Sequence, residues 1–488
     1  YLGGDVWAAG NDLAAQGEVK IYTSIDAGNS PKIIGGWDFY KESIPEFDHS
    51  GQTTSVTISS GTFDELIGGH HIKQPGSEIY NVTIGDTSVQ LDGGEVQYVI
   101  GGSKANNSDD TTLTTGNTNV LINNGTVKGM VIGGSYIKAT GNSGGGTPAV
   151  TTAATGATNV VISGGTVKGN VYAGSVADNY SSKQTDAKPA LHVTDKNTSL
   201  NISGGAFNGK KVYGGGSAVG EGSTSVAGDT SVIITAAGTD IDCVYGGGYA
   251  EKGGKVTAGN THIVIDIESN GAGVEDIFGG NSVYAYPGGV NAQGIVGDTL
   301  VEYKNGTSLG MLFGGSEIMG YSAKTNDESK IETGNTKVMV TGGTLTEAVL
   351  GGSKVRLTGD QGNKVSSIGQ DTNITVSGDT TSVKGLVGGD LVQVLNKNYT
   401  SDVRIAEGKV NNTNIIINGG TINSLYVDYS ASIQIGDVNF RGAIIGGGVA
   451  TGGTDDNKHA ESIVDTTNVV INAGTINGDI YGGGLSTA

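Results

Sequence analysis

A single cysteine, Cys243, stands among 488 residues, so no disulfide can form within the chain. Such scarcity fits a bacterial exported protein that crosses membranes unfolded, as it fits many other proteins. Proline is nearly missing, with 6 residues, and glycine shows no period of three, which excludes a collagen helix. Aromatic residues make up 6%, too few for a thick globular core. Arginine occurs only at Arg356, Arg404 and Arg441, far apart in the chain. Basic residues number 28 against 48 acidic ones, a net charge of −20, which makes nucleic acid and anionic membrane surfaces poor partners. No apolar run reaches the roughly 18 residues that a spanning helix needs. The Walker loop, the dinucleotide fingerprint, the H-E-x-x-H pair and the G-G-x-G-x-D array are all absent, which removes the nucleotide, zinc-peptidase and calcium-roll classes. The chain begins at Tyr1 without methionine or signal peptide, as expected of a processed or truncated product.

Glycine is what the chain has in excess, at 87 residues. Disorder is the competing reading of so much Gly, Ser, Thr and Asn, but 36% of the residues are apolar and alternate with polar ones in short runs, which predicts strands. One phrase, TNVVISGGTVKGNVYAGS from Thr158 to Ser175, returns throughout. It reads TNVLINNGTVKGMVIGGS from Thr118, TKVMVTGGTLTEAVLGGS from Thr336 and TNVVINAGTINGDIYGGG from Thr467. A chain that repeats one phrase is predicted to stack its repeats. Corner glycines mark the units at Gly35, Gly68, Gly101, Gly133, the Ala173-Gly174 variant, Gly214, Gly246, Gly279, Gly314, Gly351, Gly388, Gly446 and Gly482, at intervals of 32 to 41 residues with one long gap. A degenerate corner near Asp428 is expected inside that gap, giving about 13 to 14 units.

Each unit has a constant half and a variable half. In the constant half, T-x-V-x-I alternation places Val160 and Ile162 on one face. A corner follows, as at Gly164-Gly165 or Asn124-Gly125, where glycine permits a positive φ. The second strand sets Val167, Gly169 and Val171 on one side. Thr126, Thr166, Thr344, Thr421 and Thr475 recur just after the corner and are expected to form a ladder of like residues. Length varies only between the last corner and the next threonine, so the excursions should emerge on one side. Strands of this length are not stable alone, and stacked parallel coils bury the Val and Ile columns. The predicted fold is therefore all-β, a parallel β-helix or β-solenoid with one large coil per unit. Residues 1–30 match the phrase poorly and are expected to cap the first coil, with a short helical turn at Asp12 to Ala15, while residues 31–488 form the body.

Candidate sites are few. Tyr172, Tyr213, Tyr245, Phe278 and Phe313 occupy one corner position in successive units, with Tyr481 returning to it later. By alternation from Val171 they point away from the Val column, either to stack sugar rings or a partner, or to stack on one another beneath the excursion. Asp109-Asp110, Asp327-Glu328 and Asp455-Asp456 are acid pairs in polar excursions and read as solvated tips. Asp109, Asp110, Asp455 and Asp456, the last two with Asn457, are also the residues that could hold structural calcium. His70-His71 takes a corner where other units have Gly-Ser, but adjacent histidines project to opposite faces of a strand. Cys243 is expected to be a small buried thiol. No catalytic residue is assigned, and no cofactor beyond that calcium.

The recurring GGTVKGNVYAGS and GGTINGDIYGGG, with their T-N-V-V-I strands, resemble the passenger regions of bacterial autotransporter adhesins. The likeness runs from about Gly35 to the C-terminus. It implies a right-handed parallel β-helix, an extracellular or bacterial cell-surface location, and binding of host or matrix glycans or proteins. The family's C-terminal outer-membrane barrel is missing, and the chain stops after Leu485 without a cap, so the expectation is a piece of a longer protein or an end that meets another copy. A self-assembling structural subunit of a filament or surface layer, associating through its coil ends, is the alternative. A phage or secreted polysaccharide-processing β-helix is the third reading.

Overall fold

The computed structural model describes residues 6–7, 17–21, 31–40, 46–74, 80–107, 111–139, 150–179, 190–268, 272–285, 291–321, 327–358, 363–395, 404–424, 442–452 and 458–487. These fold as a parallel β-solenoid, and no helix occurs among the described residues. The chain divides into two compact units. One comprises Tyr1–Val232 with Gly254–Thr257, and the other Ile233–Gly253 with Ala258–Ala488.

The turn that carries the repeated phrase shows how a coil is built. Its first segment is Val150–Thr155 and its second is Thr158–Ile162. The third is made of Thr166–Val167 and Val171–Tyr172, and the fourth is Val176–Asp178. Each segment pairs in parallel with its counterpart one unit away: Thr158 with Thr118 and Thr198, Val171 with Val131 and Val212. A unit is thus one coil of four segments. The fourth segments form a sheet of their own. In the first unit it runs Asp38–Tyr40, His71–Gln74, Lys104–Asn107, Tyr136–Ala139, Val176–Asp178, Ser217–Val219. In the second it runs Tyr249–Glu251, Ser282–Ala285, Glu317–Tyr321, Lys354–Thr358, Leu391–Leu395, Val449–Thr451, Leu485–Thr487.

Alternation places the core as the pattern requires. Val160, Ile162, Val167 and Val171 are fully buried. In the first unit, Phe39, Ile72, Ala105, Ile137 and Ala177 of the fourth segments pack on Val82, Leu113, Ala153 and Leu191 of the first segments. The two kinds of corner need glycine for different reasons. Gly165 has φ of 78°, a left-handed conformation that only glycine adopts freely. At the Gly-Gly corner the constraint is close approach between coils: a Cβ on Gly68 would lie 2.1 Å from the Gly101 carbonyl oxygen.

Three rows of polar residues recur along the stack. The threonine that opens each second segment points inward and donates to the corner carbonyl of its own coil, as Thr87 to Gly101 at 2.5 Å, Thr158 to Ala173 at 2.6 Å and Thr336 to Gly351 at 2.5 Å. The Asn or Asp just before that threonine accepts a backbone N–H from the next coil. Asn117 donates to Asp86 at 2.7 Å and Ala157 to Asn117 at 2.9 Å in the first unit, and Asn335 to Asp298 at 2.8 Å in the second. The residues after the corner also align, Thr126 on Thr166 and Thr344 on Ser382 on Thr421 on Thr475, so the threonine ladder expected from the sequence forms in part and is broken by Ala206 beside Thr166 and by Ser382.

Two boundaries differ from expectation or extend it. Val387 pairs directly with Ile445, so the interval from Gly388 to Gly446 is one turn with an insertion at 425–441, not two turns. Asp428, the expected extra corner, lies outside the described residues. Within the expected cap, Val6–Trp7 pairs with Ile33–Ile34 and Gly17–Ile21 with Thr54–Ile58, both in parallel, which continues the ladders of the body. The helical turn expected at Asp12 to Ala15 lies outside the described residues.

Candidate functional site

The third corner position sets the polar interior. It is serine at Ser103, Ser135, Ser175, Ser316 and Ser353, where the hydroxyl accepts the backbone N–H of the same position one coil earlier. Ser103 donates to Ser135 at 3.2 Å, Ser135 to Ser175 at 2.8 Å, and Ser316 to Ser353 at 3.1 Å. Asn281 fills the position in the second unit, accepting from Gly248 at 2.8 Å and donating to Ser316 at 3.1 Å.

Departures from serine place titratable groups inside. Where the next corner would offer Gly216, which has no side chain, Asp195 reaches in from the following first segment. It accepts the Ser175 N–H at 2.6 Å and the Ser175 hydroxyl at 2.5 Å. Burial pushes Asp195 up to about 6. Asp390 takes the serine position directly and accepts the Ser353 N–H at 2.5 Å, while its Oδ2 is buried without a hydrogen-bond partner. Burial raises it to about 7. His70 does the serine's work with Nδ1, which accepts the Trp37 N–H at 3.0 Å, and its Nε2 lies 3.3 Å from the Thr83 carbonyl. That pairing makes Nε2 the protonated nitrogen. Burial lowers His70 to about 3. His71, projecting to the other side, holds Asp38 at 3.0 Å through Nδ1. The adjacent histidines therefore serve different partners.

The fourth corner position faces the aromatic row. Tyr172 and Tyr213 stack in the first unit at 4.9 Å and 12°, and Tyr245, Phe278 and Phe313 stack in the second at 5.0 and 4.8 Å. None of these rings is more than 4% exposed. Tyr481, in the same column, is 36% exposed. Lys354 crosses the row, its Nζ 5.5 Å from the Phe278 ring centre and 6.0 Å from that of Phe313. Nζ pairs with Glu317 at 3.0 Å and lies 3.9 Å from Asp276 Oδ2. The Tyr245 hydroxyl donates to Glu317 at 2.6 Å, and the Met311 N–H donates to Asp276 Oδ1 at 2.7 Å. In the first unit, Lys104 occupies the same corner position, pairs with Glu65 and lies 5.5 Å from the Tyr136 ring centre, while Lys32 holds the other Glu65 oxygen at 3.1 Å. Burial works to raise Glu65, but Lys104 and Lys32 together hold it below the usual range.

The sequence carried a signal for these lysines, since GGSK occurs at Gly101–Lys104 and again at Gly351–Lys354. Their acidic partners are distant in sequence and emerge only from the coil register.

The calcium candidates Asp109, Asp110, Asp455 and Asp456 lie outside the described residues. Among the described residues no group of three or more His, Cys, Asp or Glu is placed to hold a metal ion. Cys243 is buried. No described helix is long and apolar enough to cross a membrane. Comparison with known protein families, with curated proteins and with solved structures finds no match.

Proposed function

We propose that this chain is a non-enzymatic, extracellular or cell-surface β-solenoid of adhesin type. Its repeated half is scaffold, and its variable segments bind host or matrix glycans or proteins. The observation that carries this reading is where those segments fall. In the first unit, residues 75–79, 108–110, 140–149 and 180–189 each follow a fourth segment and precede a first segment. In the second unit, residues 286–290, 322–326, 359–362 and 453–457 do the same. Length and sequence thus vary chiefly at one recurrent point of the coil, the extra residues between Ile422 and Gly442 being an exception within a third segment, while the polar interior is committed to hydrogen bonds between coils. A recognition surface assembled from such points can change without disturbing the ladders.

The test is retention of the full chain on arrays of host and matrix glycans and on immobilised matrix proteins. Variants with residues 141–148 or 181–188 replaced by a short Gly-Ser turn are compared with it. Lost retention at an unchanged melting temperature supports the reading. Equal retention by every variant, or release of products from acidic polysaccharides with or without calcium, overturns it.

A further inference from the structure

The Lys354 cluster holds more than an ion pair requires. One amine meets two carboxyl groups on two neighbouring coils, screened by stacked rings. Glu317 is its in-register neighbour one coil back, and Asp276 lies on the coil before that. Relative side-chain exposures are 11% for Lys354, 4% for Glu317 and 25% for Asp276. The cluster at Lys104 makes the contrast: there one carboxylate meets two lysines, which is an ion pair and nothing further.

We propose that Lys354 and Asp276 are joined by an intramolecular isopeptide bond that the chain forms by itself, with Glu317 carrying the proton. The three groups have distinct settings. Burial works against the charge of Lys354, but Glu317 and Asp276 hold it above its usual range, so the resting group is an ammonium whose proton has an acceptor 3.0 Å away. Burial pushes Asp276 above the usual carboxylate range, against the pull of Lys354 and of the Met311 N–H. The protonated acid is the form that an amine attacks. The Tyr245 hydroxyl on Glu317 Oε2 orients that carboxylate and leaves Oε1 for Lys354.

In the step itself, the Lys354 ammonium passes a proton to Glu317, and the freed electron pair on Nζ forms a bond to Cγ of Asp276. Charge then develops on Oδ1, where the Met311 N–H already donates, the arrangement that stabilises an oxyanion. The C–Oδ2 bond breaks, and that hydroxyl leaves as water with a second proton from the nitrogen. One N–H remains in the amide, and the ammonium's extra proton stays on Glu317 until lost to solvent. No oxidant or cofactor is needed, since the reaction is a condensation. Proximity supplies what the uncatalysed reaction lacks. The product ties the coil of Asp276 covalently to that of Lys354, skipping the coil between.

Intact-mass measurement of the full chain, followed by peptide mapping, decides the matter. The expected mass is that of the sequence less one water, with a branched peptide joining Asp276 to Lys354. Lys354→Arg and Glu317→Gln keep the full mass, and Asp276→Asn loses ammonia in place of water. An intact mass equal to that of the sequence overturns the proposal whatever the variants do, and so does a cross-link that maps to Glu317.

Discussion

The hydroxyl of Thr158 crosses the interior of its own coil and donates to the carbonyl of Ala173, 2.6 Å away. It closes the coil from within, joining the start of the second segment to the corner that ends the third. The same contact recurs from Thr54 to Gly68 and from Thr413 to Gly446, so the threonine that opens the phrase is a staple as much as a strand former.

Thr158→Val tests the staple. Valine keeps the shape and β-branching, so the change removes the hydroxyl and leaves a buried carbonyl without its donor. Thr158 is 2% exposed, and water cannot take over. The expected loss is about 1–3 kcal/mol in denaturant unfolding, the cost of an unsatisfied buried acceptor. An unchanged midpoint means the contact contributes nothing.

Asp390 makes stability depend on pH. Its folded value of about 7 stands above the ordinary 3.8, so the fold favours the protonated acid. That contribution is fully present below about pH 4 and is lost as pH rises through 7. Asp390→Asn removes the ionisation. Relative to wild type, the variant should therefore gain stability between pH 4.5 and pH 8, by on the order of a few kcal/mol. Denaturant melts at the two pH values check it, and an equal difference at both sinks it. His70, lowered to about 3, has the opposite sign and costs both proteins stability as pH falls from 6.5.

The solenoid was legible because its signals are local. Val160 and Ile162 alternate with polar residues, and Gly165 needs its positive φ, whatever the rest of the chain does. The staple was not legible, because a threonine at a strand start looks like any β-former until the coil closes and brings Ala173 opposite. Nor were the Asp86 and Asn117 ladders, whose acceptors sit in short G-(N/D)-T turns and whose donors lie one full coil away. The aromatic row was visible as a column, but the contacts that Lys354 and Glu317 make with Tyr245, Phe278 and Phe313 from another sheet were not. Register is the missing variable in each case, and register is a property of the stack.

The row itself can be weighed by Tyr213→Ala. Tyr213 is 1% exposed and stacks on Tyr172 at 4.9 Å. Truncation removes the ring pair and leaves a cavity, with an expected loss of about 3–5 kcal/mol. A melting temperature close to wild type would show that the ring packs loosely and that its face is open to a ligand.

Glu65 is the sharpest test of the buried charges. Its carboxylate, 4% exposed, is shared between Lys104 and Lys32. Replacing it with alanine leaves the Lys104 ammonium buried without its partner, a loss of roughly 3–5 kcal/mol, because breaking a buried pair costs more than the pair contributes. Burial already lowers Lys104 despite the pull of Glu65. Without that pull its folded value falls further, and a depressed lysine destabilises the fold wherever it must be charged. The deficit of Glu65→Ala should therefore shrink as pH rises through the new value, and the double change Glu65→Ala with Lys104→Met should recover most of the loss at neutral pH. Urea melts of the three variants from pH 7 to 10 supply the comparison. A deficit independent of pH, with no recovery in the double variant, would mean that Glu65 matters for its packing and not for its charge.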